Sequence, residues 1–225
     1  KRRKKYYEER QAINPFKALS EDYFSRFSRD KHSICGVSET EIAGDWGIFY
    51  PPDSHEVAAL MAGHLADFLD RCMGIKLPLC AGHPETDSKH ILLSTSEGGE
   101  PEIEESFTIA VNPDNITVSG RDAGGLRSGV VRLVELIGLR RAPYLEQGTT
   151  VYKPRIPVRN VAVSGIEYNV FCGANATQIF GGDLYGISRS DAIPELVKYQ
   201  KPELYNTIAE NIAENKRYGL KVYMR

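Results

Sequence analysis

The chain has 225 residues, 41% of them hydrophobic and 26% charged. That is enough to bury the core of one generous domain or two small ones, and too apolar for global disorder. Lys and Arg number 28 against 30 Asp and Glu, a net charge of −2, which argues against a chain built around nucleic-acid phosphates; no apolar run approaches the roughly 18 residues of a membrane-spanning helix.

Charge is uneven, +4 over residues 1–40 and −6 over residues 41–225. The opening run Lys1, Arg2, Arg3, Lys4, Lys5 has no apolar stretch after it, so it reads as a solvated terminus and not as a signal peptide. Aromatics at Tyr6, Tyr7, Phe16, Tyr23, Phe24 and Phe27 predict one or two short helices outside the main body across residues 1–40. Trp46–Tyr50 then reads as a strand stopped by Pro51 and Pro52. Asp53 and Ser54 are the expected caps of a helix to about Met73. Val57, Leu60, Met61, His64, Leu65, Phe68, Leu69 and Cys72 form its apolar stripe at helical spacing, and Gly74 ends it. Ile75–Cys80 and His90–Thr95 are two short predicted strands.

Residues 105–120 predict a hairpin. Phe107, Ile109 and Val111 alternate on one arm and Ile116 and Val118 on the other, with Asn112-Pro113-Asp114-Asn115 as the turn. Gly120-Arg121-Asp122 leads into a second helix carrying Leu126, Val130, Leu133, Val134 and Ile137, closed by Gly138. Two helices against one mixed sheet make an α/β sandwich over residues 41–150. Residues 143–157 read as a Pro-rich connector. Val158–Ser164 is a new predicted strand, Gly165–Pro202 a long Gly- and aromatic-rich loop, Glu203–Tyr218 a helix and Leu220–Met224 a strand. Residues 151–225 would thus hold the first β-α-β of a TIM-like barrel, which needs about 250 residues when complete.

Chemistry-bearing motifs are sparse. His55–His64 (HEVAALMAGH) fails the HExxH zinc pattern because Ala59 stands in the fifth place, so no metal is expected, and His64 reads as a hydrogen-bonded core histidine. Cys35, Cys72, Cys80 and Cys172 form no CxxC pair; Cys72 and Cys80 flank a turn, and two small buried thiols is the favoured reading over a disulfide. Gly120–Val130 (GRDAGGLRSGV) looks like a phosphate loop but lacks the Walker Lys-Ser/Thr and the GxGxxG spacing. A tight turn into a helix is the favoured reading, against an anion held at the helix start with help from Arg127. Sequons at Asn115 and Asn175 are short enough to occur by chance. The long loop carries Glu167, Tyr168, Asn169, Phe171, Phe180, Asp183, Tyr185 and Arg189, aromatics able to stack on sugar rings beside groups that bind hydroxyls. A surface insertion with its own small aromatic core fits it equally.

The segments ESFTIAV (Glu105–Val111) and ITVSGRDAGGLRSGVVRLVELI (Ile116–Ile137) resemble the non-catalytic, zincin-like α/β domain that precedes the barrel in family 20 β-hexosaminidases and family 67 α-glucuronidases. KPRIPVRNVAV (Lys153–Val163) is similar to the lead-in to their first barrel strand. The resemblance implies the N-terminal portion of a glycoside hydrolase that cleaves O-glycosidic bonds, uses no cofactor, takes a carbohydrate substrate and is exported. In hexosaminidases an Arg near the start of that strand contacts the sugar. Arg159 is the matching position, although the Asp and second Arg that follow it in the family are absent here. Arg159, Glu167, Tyr168, Asp183 and Tyr185 are therefore the expected substrate contacts. The family's catalytic acids lie on later strands, so this chain alone should be inactive. The alternative is a complete non-enzymatic module that binds a glycan or a protein and works as a homo-oligomer.

Overall fold

The computed structural model describes residues 22–95, 103–160, 165–179, 191–199 and 201–224. Six strands form one mixed sheet: β2 (Gly47–Tyr50), β3 (Leu79–Ala81), β4 (His90–Thr95), β5 (Phe107–Val111), β6 (Asn115–Gly120) and β8 (Gly148–Tyr152), in the order β3-β2-β4-β6-β5-β8. The pairs β3–β2, β2–β4 and β4–β6 run parallel, and β6–β5 and β5–β8 antiparallel. Two helices, α1 (Glu56–Phe68) and α2 (Ala123–Arg140), lie on the sheet and against each other. A short pair, β1 (Glu39–Glu41) with β7 (Tyr144–Glu146), sits beside it.

Period-2 alternation decides which face is covered. Ile91 and Leu93 on β4, Phe107, Ile109 and Val111 on β5, and Ile116 and Val118 on β6 are all buried, while the residues between them are half-exposed. One face packs on helices and the other meets solvent, as antiparallel and mixed edges permit. The stripe of α1 faces this sheet, with Val57, Met61, Leu65 and Phe68 fully buried. Burying one such side chain is worth about 1.5–3 kcal/mol, so these repeated positions dominate the fold's stability.

Several boundaries depart from sequence expectation, each for a local reason. His55 caps α1, its Nδ1 accepting from Val57 N at 3.2 Å, because Ser54 is drawn into the Pro51 turn and donates to the Pro51 carbonyl. The last turn widens over Leu69–Met73 before Gly74 closes it at φ 71°. Helix α2 continues past Gly138 to Arg140 and ends on Arg141 in the left-handed region, φ 56°. Gly138 serves a close approach instead: a Cβ there would run into the Phe27 ring. The expected outlying helices of the leader give way, in the described part, to a single 3-10 turn at Tyr23–Arg26. Its Tyr23 and Phe24 enter the core against Phe68 and Phe171.

The Pro-rich connector contains β7 and β8, and Tyr152 of β8 stacks on Phe107 with ring centroids 4.7 Å apart. Beyond it, the expected loop holds α3 (Ile166–Phe171), β9 (Ala176–Ile179) and a 3-10 turn at Pro194–Tyr199, followed by α4 (Pro202–Arg217) and β10 (Lys221–Met224). The partner of β10 is β9, in parallel register from Lys221↔Ala176 to Met224↔Ile179, where the sequence had suggested residues 158–164. Asn160 makes a parallel bridge to Ala176; residues 161–164 lie outside the described residues. The run is thus Asn160, α3, β9, α4, β10 with parallel pairing throughout, one short β-α step more than expected.

Candidate functional site

Polar side chains converge where the hairpin domain meets the segment after residue 152. Glu105, just before β5, is held at φ 61°, and its N–H donates to Asp122 Oδ2 at 2.9 Å. The same Asp122 caps α2 by accepting from Gly125 N at 2.7 Å. The helix N-terminus is therefore occupied by the chain's own carboxylate, which bears out the tight-turn reading of the Gly-rich segment. Gly120 and Gly125 permit that turn: a Cβ on either would overlap backbone atoms of Leu126 or Ser106.

The Glu105 carboxylate is 7% exposed and gathers three partners. Arg159 Nη2 donates to Oε2 at 2.6 Å, Asn175 Nδ2 lies 2.9 and 2.8 Å from the two oxygens, and Arg127 Nη2 is 3.6 Å from Oε1. Arg127, 1% exposed, donates through Nη1 to the carbonyls of Tyr218 and Gly219, both at 2.9 Å. Burial pushes its guanidinium below the usual arginine range, with Glu105 opposing and Arg159 adding to the shift. Arg127 thus spans from α2 to the end of α4, and does not attend an anion at its own helix start.

Arg159, expected on the sugar, is engaged by protein groups. Its Nε donates to Gly173 O at 2.8 Å, its Nη1 to Ile156 O at 2.7 Å and its Nη2 to Glu105. Its backbone N–H donates to Asn175 Oδ1 at 2.6 Å. Asn175 is wholly buried, so its sequon is closed to modification in the folded chain.

Glu167 and Tyr168 stand in a second cluster. Tyr168 is half-buried, edge-on to Tyr23 at 5.7 Å. Glu167 is exposed, its Oε1 3.6 Å from His64 Nδ1, and His64 Nε2 lies 2.9 Å from the Tyr218 hydroxyl. His64 is the hydrogen-bonded interior histidine its place on the stripe suggests. Burial lowers its pKa from the usual value, opposed by Glu167 and then Asp67. Burial pushes the Tyr218 phenol up to about 12, with Glu167 and Glu214 adding to it. Asp183 and Tyr185 lie outside the described residues. The structure therefore joins Glu167 and Tyr168 on one short helix and places Arg159 in the separate Glu105 cluster.

Glu105 and Asn175 were not singled out from sequence. Glu105 carried one signal, a carboxylate two residues before a buried strand and facing a Gly-rich turn; Asn175 carried none beyond its chance sequon. All four cysteines are free; Cys35, Cys72 and Cys80 are half-buried and Cys172 is exposed, so Cys72 and Cys80 are thiols and not a disulfide, as favoured, though half-buried where burial was expected. Among the described residues no group of three His, Cys, Asp or Glu side chains is placed to hold a metal.

A cleft of about 360 Å³ adjoins the Glu105 cluster. Its walls are α2 from Arg127 to Glu135, Phe107 and Tyr152 on the adjacent strands β5 and β8, the 153–156 connector, Val170 in α3, and Gly173 and Ala174 just after it.

No protein-family model matches the chain, and no curated protein matches it. Solved structures do. A GH20 β-N-acetylhexosaminidase from Streptomyces coelicolor A3(2) superposes with a TM-score of 0.60 at 21% identity over 89% of this chain and 46% of its own. A Flavobacterium johnsoniae chitobiase of the same family gives 0.57 at 14% identity over 85% and 32%. A GH138 enzyme targeting pectin rhamnogalacturonan II gives 0.55 at 13% identity over 80% and 30%. At such identities the likeness is one of fold: a mixed α/β architecture found in glycoside hydrolases. The chain spans less than half the length of each of these enzymes.

Proposed function

We propose that the chain is the N-terminal portion of a glycoside hydrolase, hexosaminidase- or glucuronidase-like, acting on O-glycosidic bonds. In this reading residues 41–150 form an accessory α/β domain and residues 151–225 open the catalytic barrel. The observation that carries it is the superposition on GH20 β-hexosaminidases over 89% of the chain. The parallel β9–β10 pair after the mixed sheet adds support, because a two-stranded parallel pair is not a stable sheet unless further strands and helices cover it.

The geometry of the Glu105 cluster and the resemblance together support the following roles. Glu105 and Asn175 hold Arg159, and with it the chain entering the parallel segment, against the accessory sheet. Arg159 acts as a positioning residue for that entry. Sugar contacts fall to the exposed Glu167 and its half-buried neighbour Tyr168 on α3, and to Asp183 and Tyr185, which follow in the sequence. The acid and base flanking the scissile oxygen come from sequence outside this chain.

The test is an assay of aryl β-N-acetylglucosaminide and aryl α-glucuronide hydrolysis by the 225-residue chain and by the product of the longer reading frame. Aryl alcohol release by the longer product alone is expected. Turnover by the 225-residue chain, a stop codon directly after Arg225, or a longer product inert on both would overturn the reading.

A further inference from the structure

We infer that the cleft bounded by α2, the Phe107–Tyr152 edge and the 153–156 connector binds a small organic oxyanion, a carboxylate or phosphate on a compact, apolar-faced body. The inference requires nothing of a glycosidic substrate and stands apart from the hydrolase reading.

Charge is the first support. Five cationic side chains line the cleft, Arg127, Arg132, Lys153, Arg155 and Arg159, against two carboxylates, Glu105 and Glu135. Both carboxylates are already engaged: Glu105 by Arg159 and Asn175, and Glu135 by Arg132 Nη1 at 3.1 Å. Lys153 and Arg155, both exposed, have no carboxylate partner among the described residues. The cleft therefore carries an excess of positive charge within low-dielectric walls, which concentrates anions.

Unspent donors are the second. Arg132 Nε is buried and has no hydrogen-bond partner, and the buried Arg127 Nη2 has only its 3.6 Å ionic contact with Glu105 Oε1. A buried donor left unmade costs about 1–3 kcal/mol, and more when it is charged. Both belong to residues lining the same cleft, one turn and a half apart on α2, so an oxyanion bound there offers acceptors to two guanidinium groups whose donors the fold does not fully use, once their side chains turn toward it. Guanidinium groups favour planar oxyanions for this purpose.

The apolar wall is the third. Phe107 and Tyr152 stack at 4.7 Å, with Val131, Val170 and Ala174 beside them. That gives the ligand's body an apolar wall directly beside a charged group, since the Arg132 guanidinium lies 5.7 Å from the Tyr152 ring. The volume lies within the range of small-molecule sites.

The test is calorimetric titration of the 225-residue chain at low ionic strength with benzoate, galacturonate and inorganic phosphate, using benzamide and galactose as uncharged counterparts. At least one anion is expected to bind about tenfold or more tightly than the uncharged probes. Binding of phosphate alone identifies a free-phosphate site, and binding of benzoate or galacturonate a carboxylate site. Arg155→Gln, at the exposed mouth, and Arg132→Met should each weaken the bound anion about fivefold or more with the far-ultraviolet circular dichroism unaltered. If Arg132→Met fails to fold, Arg155→Gln decides. Absence of anion binding, equal binding of charged and uncharged probes, or wild-type affinity in the folded variants would overturn the inference.

Discussion

The amide of Asn175 straddles the carboxylate of Glu105, 70 positions earlier, with Nδ2 at 2.9 and 2.8 Å from its two oxygens. The same nitrogen also donates to Pro157 O at 2.8 Å, while Asn175 Oδ1 receives the Arg159 N–H at 2.6 Å. Every polar atom of a wholly buried side chain is thereby used, and the segment after residue 156 is fastened to the turn before β5. Glu105 is the hub, since Arg159 and Arg127 depend on it for countercharge.

Glu105→Ala should therefore cost about 3–5 kcal/mol, the usual effect of leaving buried cations without their partner. Urea denaturation reads this as a lower midpoint. The double variant Glu105→Ala/Arg159→Met should lose much less than the sum of the two single losses, because the second change removes a charge the first has stranded. Additive losses would show that the two residues do not act together.

Two glycines in helices should respond to alanine with opposite signs. Gly63 lies inside α1 with open space where a Cβ would stand, whereas a Cβ on Gly125 would overlap the Ser106 carbonyl. Gly63→Ala should raise stability by about 0.5–1 kcal/mol through helix propensity and a less flexible unfolded chain. Gly125→Ala should lower it by more than that, since the turn into α2 must open and loosen the Asp122 cap. Thermal melts of the two variants beside the parent chain check both signs.

The hairpin of β5 and β6 was legible in the sequence because Phe107, Ile109, Val111, Ile116 and Val118 alternate without interruption around a four-residue turn. The stripe of α1 was legible for the same reason. Strand β8 was not: Gly148, Thr149, Thr150 and Val151 are all exposed, and an edge strand held by backbone hydrogen bonds carries no apolar alternation. Strand β9 was hidden in a loop whose aromatic content drew attention to surface chemistry. At the site, the place of His64 on a buried face foretold its hydrogen bond. The engagement of Arg159 could not be foretold, because it depends on a carboxylate 54 residues away whose backbone sits in a conformation that few non-glycine residues adopt.

The His64–Tyr218 contact gives the fold two pH-dependent arms. His64 packs against the Phe171 ring and faces Tyr218 and Glu167, with Asp67 on its own helix. Its folded pKa lies below the unfolded value of 6.5, so the unfolded chain takes up the proton more readily. Its contribution is complete above about pH 6.5 and is lost as pH falls below that value toward the folded pKa. Tyr218 runs the other way: with its pKa pushed up to about 12 from 10, the unfolded chain releases the proton first. Stability is then complete below about pH 10 and is lost between about pH 10 and 12, by an upper bound of about 3 kcal/mol. Urea midpoints for the parent chain, His64→Gln and Tyr218→Phe across both ranges separate the arms. His64→Gln should flatten the acidic slope that lies above the carboxylate range, and Tyr218→Phe should flatten the alkaline one. Parallel profiles for all three proteins would mean that neither ring titrates differently in the fold.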